Sequence, residues 1–162
     1  MSSRDFSCVS FAALSTADLY RILALRAQVF IVEQECAYLD IDGIDHHDDV
    51  FHLSAVDEAG QLTLYARLIG PDTTQMASAE RAVSIGRVIC APAARGCGLG
   101  SQLIQRAIIE CRKHWPGVSI RLSAQAHLTG FYSAQGFESE GTPYDEDGIP
   151  HILMRLADNT QR

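Results

Sequence analysis

The mostly apolar run Phe6 to Phe11 reads as a short first strand. Ser15 with Asp18 matches a capping box, and Leu19, Ile22, Leu23, Val29 and Phe30 then recur at helical spacing. A helix therefore opens at Ser15 and fades near Glu33 to Cys36. A polar loop follows, Tyr38 to Asp49, rich in Asp and His. Phe51, Leu53 and Ala55 alternate with His52, Ser54 and Val56, and Leu62, Leu64, Ala66 and Leu68 keep the same period of two. Asp57-Glu58-Ala59-Gly60 between them is turn chemistry, so these two runs form a hairpin. A loop from Pro71 to Ala79 leads to a fourth strand, Ala82 to Cys90. Leu99, Leu103, Ile104, Ala107, Ile108 and Cys111 make an apolar helical stripe that Pro116-Gly117 stops. Val118 to Ala124 reads as a strand, His127 to Gln135 as a short helix ended by Gly136, and Phe137 to Gly141 and His151 to Leu156 as the last two strands. The order β-α-ββ-β-α-β-α-ββ predicts an α/β chain whose mixed sheet carries helices on both faces.

With 162 residues, 47% of them hydrophobic, and no repeat or Pro/Gly-rich linker, the chain reads as one domain spanning 1–162. A net charge of −7 repels phosphate backbones, so no nucleic-acid partner is expected. An acidic balance attracts cationic small molecules or serves solubility. No run has the length of a membrane helix, and Met1 to Ser10 lacks an apolar signal region, so no membrane partner and a cytoplasmic location are expected. The five cysteines form no C-x-x-C pair, and none has an identifiable His and acid arrangement around it, so a cysteine nucleophile is not expected.

The run Arg95-Gly96-Cys97-Gly98-Leu99-Gly100-Ser101 lies between a strand and an amphipathic helix. Helix N-termini carry unpaired N–H groups and the positive dipole end, and glycines clear the approach to them, so a phosphate or diphosphate suits this turn. Arg95 can add a charged donor and Ser101 a hydroxyl. A plain tight turn capping the helix is the simpler alternative. The Lys-Ser/Thr of a Walker A loop is missing, and the glycines run G-x-G-x-G rather than the dinucleotide G-x-G-x-x-G.

Arg95, Gly98 and Gly100, with Gly96 between, resemble the R-x-x-G-x-G motif of the GNAT N-acetyltransferases. Phe131-Tyr132-Ser133-Ala134-Gln135-Gly136-Phe137 resembles that family's second motif, F-Y-x-x-x-G-F. Further matches resemble the ElaA-like branch: Leu25-Arg26, Val32-Glu33-Gln34, Ile85-Gly86-Arg87-Val88, Ala124-Gln125-Ala126-His127, and Glu146-Asp147-Gly148-Ile149-Pro150-His151. The resemblance implies a GNAT-like acyl-CoA N-acyltransferase fold of six to seven strands and three to four helices. It implies that amides of Gly96, Cys97, Gly98, Leu99, Gly100 and Ser101 hold the diphosphate of acetyl-CoA, with Arg95 beside them. Val88, Ile89 and Cys90 would pair with the pantetheine arm, and Gln125 would stand where the family often has a coenzyme-contacting asparagine. Cys97 replaces a side chain that is often long and polar. Dimers are common in that family, so a homodimer is a further implication.

Acetyl transfer to an amine needs a base, an oxyanion donor and an acid for the leaving thiolate. The resemblance gives Tyr132 as the acid and the backbone near Val88 as the oxyanion donor. Arg26 and Glu33, seven apart, share one side of a regular helix. They form an ion pair, or Glu33 lines the acceptor pocket and holds a cationic amine. His151 is a candidate base or acceptor contact, since histidine titrates near neutrality. Asp40 to Asp49 lacks EF-hand spacing, so no metal is expected; this loop reads as a polar border of the acceptor site. The function implied is transfer of an acetyl group from acetyl-CoA to a small-molecule or peptide amine, without a covalent enzyme intermediate. A coenzyme A-binding module without turnover is the alternative, and a nucleotide-binding regulatory domain a third reading.

Overall fold

The computed structural model describes residues 5–74 and 80–158. The end of the expected Pro71 to Ala79 loop, residues 75–79, and the start of the Met1 to Ser10 segment lie outside the described residues. Among the described residues the strands are β1 (Phe6–Ser10), β2 (Val50–Val56), β3 (Leu62–Ile69), β4 (Ala82–Cys90), β5 (Ser119–Gln125), β6 (Glu138–Glu146) and β7 (Ile149–Leu156). The helices are α1 (Thr16–Arg26), α2 (Leu99–His114) and α3 (Thr129–Ser133). One sheet runs in the order β1-β2-β3-β4-β5-β7-β6, antiparallel throughout except where β4 lies parallel to β5.

Helices cover both faces, as the element order predicts. Ile22 and Leu25 of α1, with Val29 beyond it, pack on Tyr65 and Ile89. Leu103, Ile104, Ala107 and Cys111 of α2 pack on the opposite face against Leu64, Ala66, Leu68 and Val83. Each fully buried Leu, Ile or Val among them contributes roughly 1.5–3 kcal/mol. β3 is buried on both faces, because α1 covers Tyr65 and Arg67 lies under the Asp-rich loop.

Local chemistry sets the element ends. The Ser15 hydroxyl accepts the Asp18 amide at 3.0 Å and so caps α1. Beyond Arg26 the chain continues as a π-helix over Ala27–Glu33 rather than as a regular α-helix. β6 runs on to Glu146, past Gly141 and Pro143, with a register shift between Glu140 and Tyr144. The shift and the edge position make proline tolerable, since no inward ladder bond is required of it. The turn before His151 is Asp147-Gly148; both residues have positive φ, 51° and 80°, the two-residue geometry of a type I′ hairpin.

The β4–β5 junction positions the site. These strands pair only at Ala82–Ser119, Val83–Ile120 and Ser84–Arg121. Past that point no ladder joins them, so Ile85–Cys90 and Leu122–Gln125 diverge and leave a cleft.

Candidate active site

The cleft has a volume of about 700 Å³ and opens between Ile85, Gly86, Arg87 and Val88 of β4 and Leu122, Ser123 and Gln125 of β5. Tyr132 forms part of its wall from α3, His151 from β7, and Tyr144 and Glu146 from β6. Arg87 has φ of 52°, a strained value for a residue with a side chain, at the point where the β3–β4 register slips. Of the expected site residues, the fold brings Val88, Gln125, Tyr132 and His151 to this one cavity.

The glycine-rich turn lies next to the cleft rather than in its wall. Gly96 and Gly98 have φ of 77° and 80°, which residues with a Cβ rarely adopt. Gly98 is the N-cap of α2 and offers no side chain, and the first turn holds no acidic residue. The first bond of the helix runs from Gln102 N–H to Gly98 O, so the amides of Leu99, Gly100 and Ser101 have no partner among the described residues. Three such donors at the positive end of a sixteen-residue helix suit an anion. Ile89 points its side chain into the α1 core, leaving only its backbone to a ligand. The exposed Cys97 thiol reaches the Ala94 carbonyl at 3.3 Å.

Arg95 is not turned toward those amides. Its Nε donates to the Cys90 carbonyl at 3.0 Å and its Nη1 lies 2.7 Å from Glu33 Oε1. Glu33 thus faces the glycine turn and is absent from the cleft wall. The expected Arg26–Glu33 pair does not form. A π-helix closes i→i+5 bonds and holds more residues per turn, so positions seven apart no longer share a side. Arg26 is fully buried and donates to Asp40 at 2.8 Å and Asp45 at 2.6 Å, so it does not contact an acceptor.

That burial belongs to a network which sequence reading missed. Arg67 donates to both oxygens of Asp42, at 2.9 and 2.7 Å, and to Asp45 at 3.0 Å. Arg87 donates to Asp40 at 2.7 Å and to Asp42 at 3.3 Å. The loop expected as a polar border is therefore an internal clamp, with Tyr38 and Asp42 at the cleft. The signal lay in Arg26 and Arg67, each within an apolar run, because a buried guanidinium must find carboxylates. Desolvation raises the Asp42 carboxyl, but the hydrogen bonds and charge of Arg67, with Ile44 N–H and Arg87, outweigh it and hold it at about 2.

Tyr132 is buried, and its hydroxyl makes no hydrogen bond to a described residue. Burial, with the neighbouring Cys90, pushes it up to about 12, so it stays protonated at neutral pH. His151 Nδ1 sits 2.7 Å from the Ile149 carbonyl, which only accepts. In the neutral ring the proton is therefore on Nδ1, and Nε2 keeps a free lone pair. Gln125 Nε2 donates to Gln34 at 3.3 Å, tying the tip of β5 to the segment after the π-helix.

Residues 47–157 match the acetyltransferase (GNAT) domain family. The chain is 43% identical to protein ElaA of Escherichia coli over 141 residues, 87% of this chain and 88% of that one. The crystal structure of Escherichia coli ElaA superposes with a TM-score of 0.85, at 39% identity, over 95% of this chain and 99% of that one. An acyl-CoA N-acyltransferase from Pseudomonas aeruginosa, 44% identical, superposes with a TM-score of 0.87 over 96% of this chain and all of that one. That family performs acyl transfer from acyl-CoA. A parallel strand pair that parts beside a glycine-capped helix, with relatives alike over almost their full length, makes this chain a member of the GNAT acetyltransferase family in its ElaA-like branch.

Proposed function

We propose that this protein is an acetyl-CoA-dependent N-acetyltransferase that acts by direct attack of an amine on the thioester in a ternary complex. The observation that carries the reading is the parting of β4 and β5 after Ser84–Arg121. It frees the β4 edge for an extended ligand whose diphosphate sits on the amides of Leu99, Gly100 and Ser101. The pantetheine arm runs along Val88 to Cys90 and brings the thioester into the cleft beside Tyr132. Arg95 leaves Glu33 to meet the diphosphate, and Gln125 lies near the arm.

The neutral amine attacks the carbonyl carbon, and the developing oxyanion takes the Val88 N–H. The proton lost by the amine goes to His151 Nε2. The carbon–sulfur bond breaks, and Tyr132 gives its proton to the departing sulfur, leaving amide and free coenzyme A. A hydroxyl held at about 12 is protonated at every working pH, so a supply of that proton is always present.

The test is thiol release from acetyl-CoA across a panel of primary amines. Free coenzyme A should appear only when an amine is added. Tyr132→Phe should lower kcat by about tenfold or more, the scale of a lost general acid, while the KM for acetyl-CoA changes little. Wild-type turnover in that variant would remove Tyr132 from the mechanism. The same panel bears on the coenzyme A-binding module, which would bind acetyl-CoA and release no thiol with any amine.

A further inference from the structure

The charged groups of the cleft do not cancel evenly along it. Toward the Asp loop, Arg26, Arg67 and Arg87 face Asp40, Asp42 and Asp45, three guanidiniums against three carboxylates. The remaining acidic side chains of the wall are Glu146 and Asp147, and no cationic group of a described residue lies within ion-pair distance of either. His151, the titratable base nearest them in the sheet, has its Nδ1 committed to Ile149. The β6–β7 end of the cavity therefore carries two uncompensated negative charges, and the coenzyme diphosphate belongs at the opposite, glycine-turn end.

Glu146 is held in place. The two-residue Asp147-Gly148 turn fixes it opposite Ile149 in the hairpin register. Ser123 Oγ donates to Glu146 Oε2 at 2.9 Å. Ser123 has one proton and gives it to the carboxylate, so the short contact between Ser123 and Tyr144 is donated by the tyrosine. The Tyr144 ring stacks on His151, with centroids 6.3 Å apart, and so joins this carboxylate to the candidate base. The Ser123 hydroxyl, itself held by Tyr144, orients Glu146 but brings no positive charge, so an ammonium group completes the site.

We infer that the acceptor carries a second positive charge besides the amine that reacts, and that Glu146, oriented by Ser123 and Tyr144, binds this second ammonium with Asp147 adding to the field. The inference rests on the acetyltransferase reading and names its substrate class: α,ω-diamines and similar dicationic amines. Binding the far ammonium leaves the near amine free to lose its proton to His151. A carboxylate at the far end of an acceptor is repelled by the same residues.

The experiment compares amines that differ only at the far end. Unbranched α,ω-diamines of three to six carbons are assayed with acetyl-CoA beside the monoamines and ω-amino acids of equal length. At least one diamine should exceed its monoamine in kcat/KM by about tenfold, and the amino acids should be slowest. Glu146→Gln should bring the diamine-to-monoamine ratio close to one, and added salt should narrow it in the wild type. Acetylation with monoamines equal to or better than every diamine overturns the inference and leaves the acetyltransferase reading standing. So does an unchanged ratio in Glu146→Gln. No thiol release with any amine overturns both.

Discussion

The buried Arg26 and Arg67, with the half-buried Arg87, show what charges placed in a protein interior demand. Each sits where its neighbours are apolar, and each is held by at least two aspartates of one loop. Removing one partner from such a set leaves an uncompensated buried charge, so the loop is fixed to the sheet. His52 lies beneath it, with Nε2–H donated to the Asp45 carbonyl at 2.9 Å and Nδ1 accepting from Tyr65 at 2.8 Å. Burial lowers the affinity of His52 for a second proton. A base whose folded value is depressed stabilises the fold above its unfolded value of 6.5 and withdraws that stability as pH falls through the folded value. Asp42 and Asp45 act likewise lower down: their contribution is present above 3.8 and lost as pH falls, for Asp42 through about 2. Stability should therefore fall in two stages on acidification, the first beginning below pH 6.5 with a slope of at most ~1.4 kcal/mol per pH unit from His52. Denaturant titrations at a series of pH values measure this. His52→Gln should flatten the first stage and Asp42→Asn the second, whatever either does to absolute stability; unchanged slopes would contradict the assignment.

At the scale of elements, the glycine turn and the π-helix behave differently. The turn is legible because chain conformation and chemistry coincide: Gly98 has φ of 80° and opens α2 with free amides. A Cβ at Gly98 meets nothing within 4 Å, so Gly98→Ala is opposed by backbone conformation and not by crowding. The left-handed value costs about 1–2 kcal/mol for a residue with a side chain. Gly98→Ala should lower the melting temperature by a few degrees and raise the KM for acetyl-CoA more than that for the amine. A variant with an unaltered KM for acetyl-CoA would remove the turn from the coenzyme site. The π-helix over Ala27–Glu33, in contrast, leaves no mark in the spacing of apolar residues. Its consequence is large all the same, since it carries Glu33 to the glycine turn, away from Arg26, which regular α1 spacing places beside Ile22 in the core.

The whole molecule is a sheet divided by its central splay, with the strands before it held under α1 and the Asp loop and those after it in the β5-β7-β6 unit. Among the described residues, Gln125 of β5 reaches across the open part to Gln34 at 3.3 Å. A ligand that fills the cleft joins the two halves and binds the folded state alone. Acetyl-CoA at a hundred times its Kd should therefore stabilise the fold by about 2.7 kcal/mol, read as a concentration-dependent rise in melting temperature. Greater protection by ATP or NAD would favour a nucleotide-binding role instead.

The linear order of residues determined the element order, the two-sided cover of the sheet and the glycine-capped start of α2, because periodicity and turn chemistry act over a few neighbours in the chain. It also placed Tyr132 and His151 as candidates, and both reach the cleft. Tertiary structure alone decided that Arg26 belongs to the core, that Glu33 turns to Arg95, and that Ser123, Tyr144 and Glu146 meet at the far end of the cavity. Those partners lie 14 to 62 positions apart, beyond any local pattern. They come together only because β4 and β5 separate after three residue pairs and a π-turn rotates the end of the first helix, both outcomes of packing across the whole sheet.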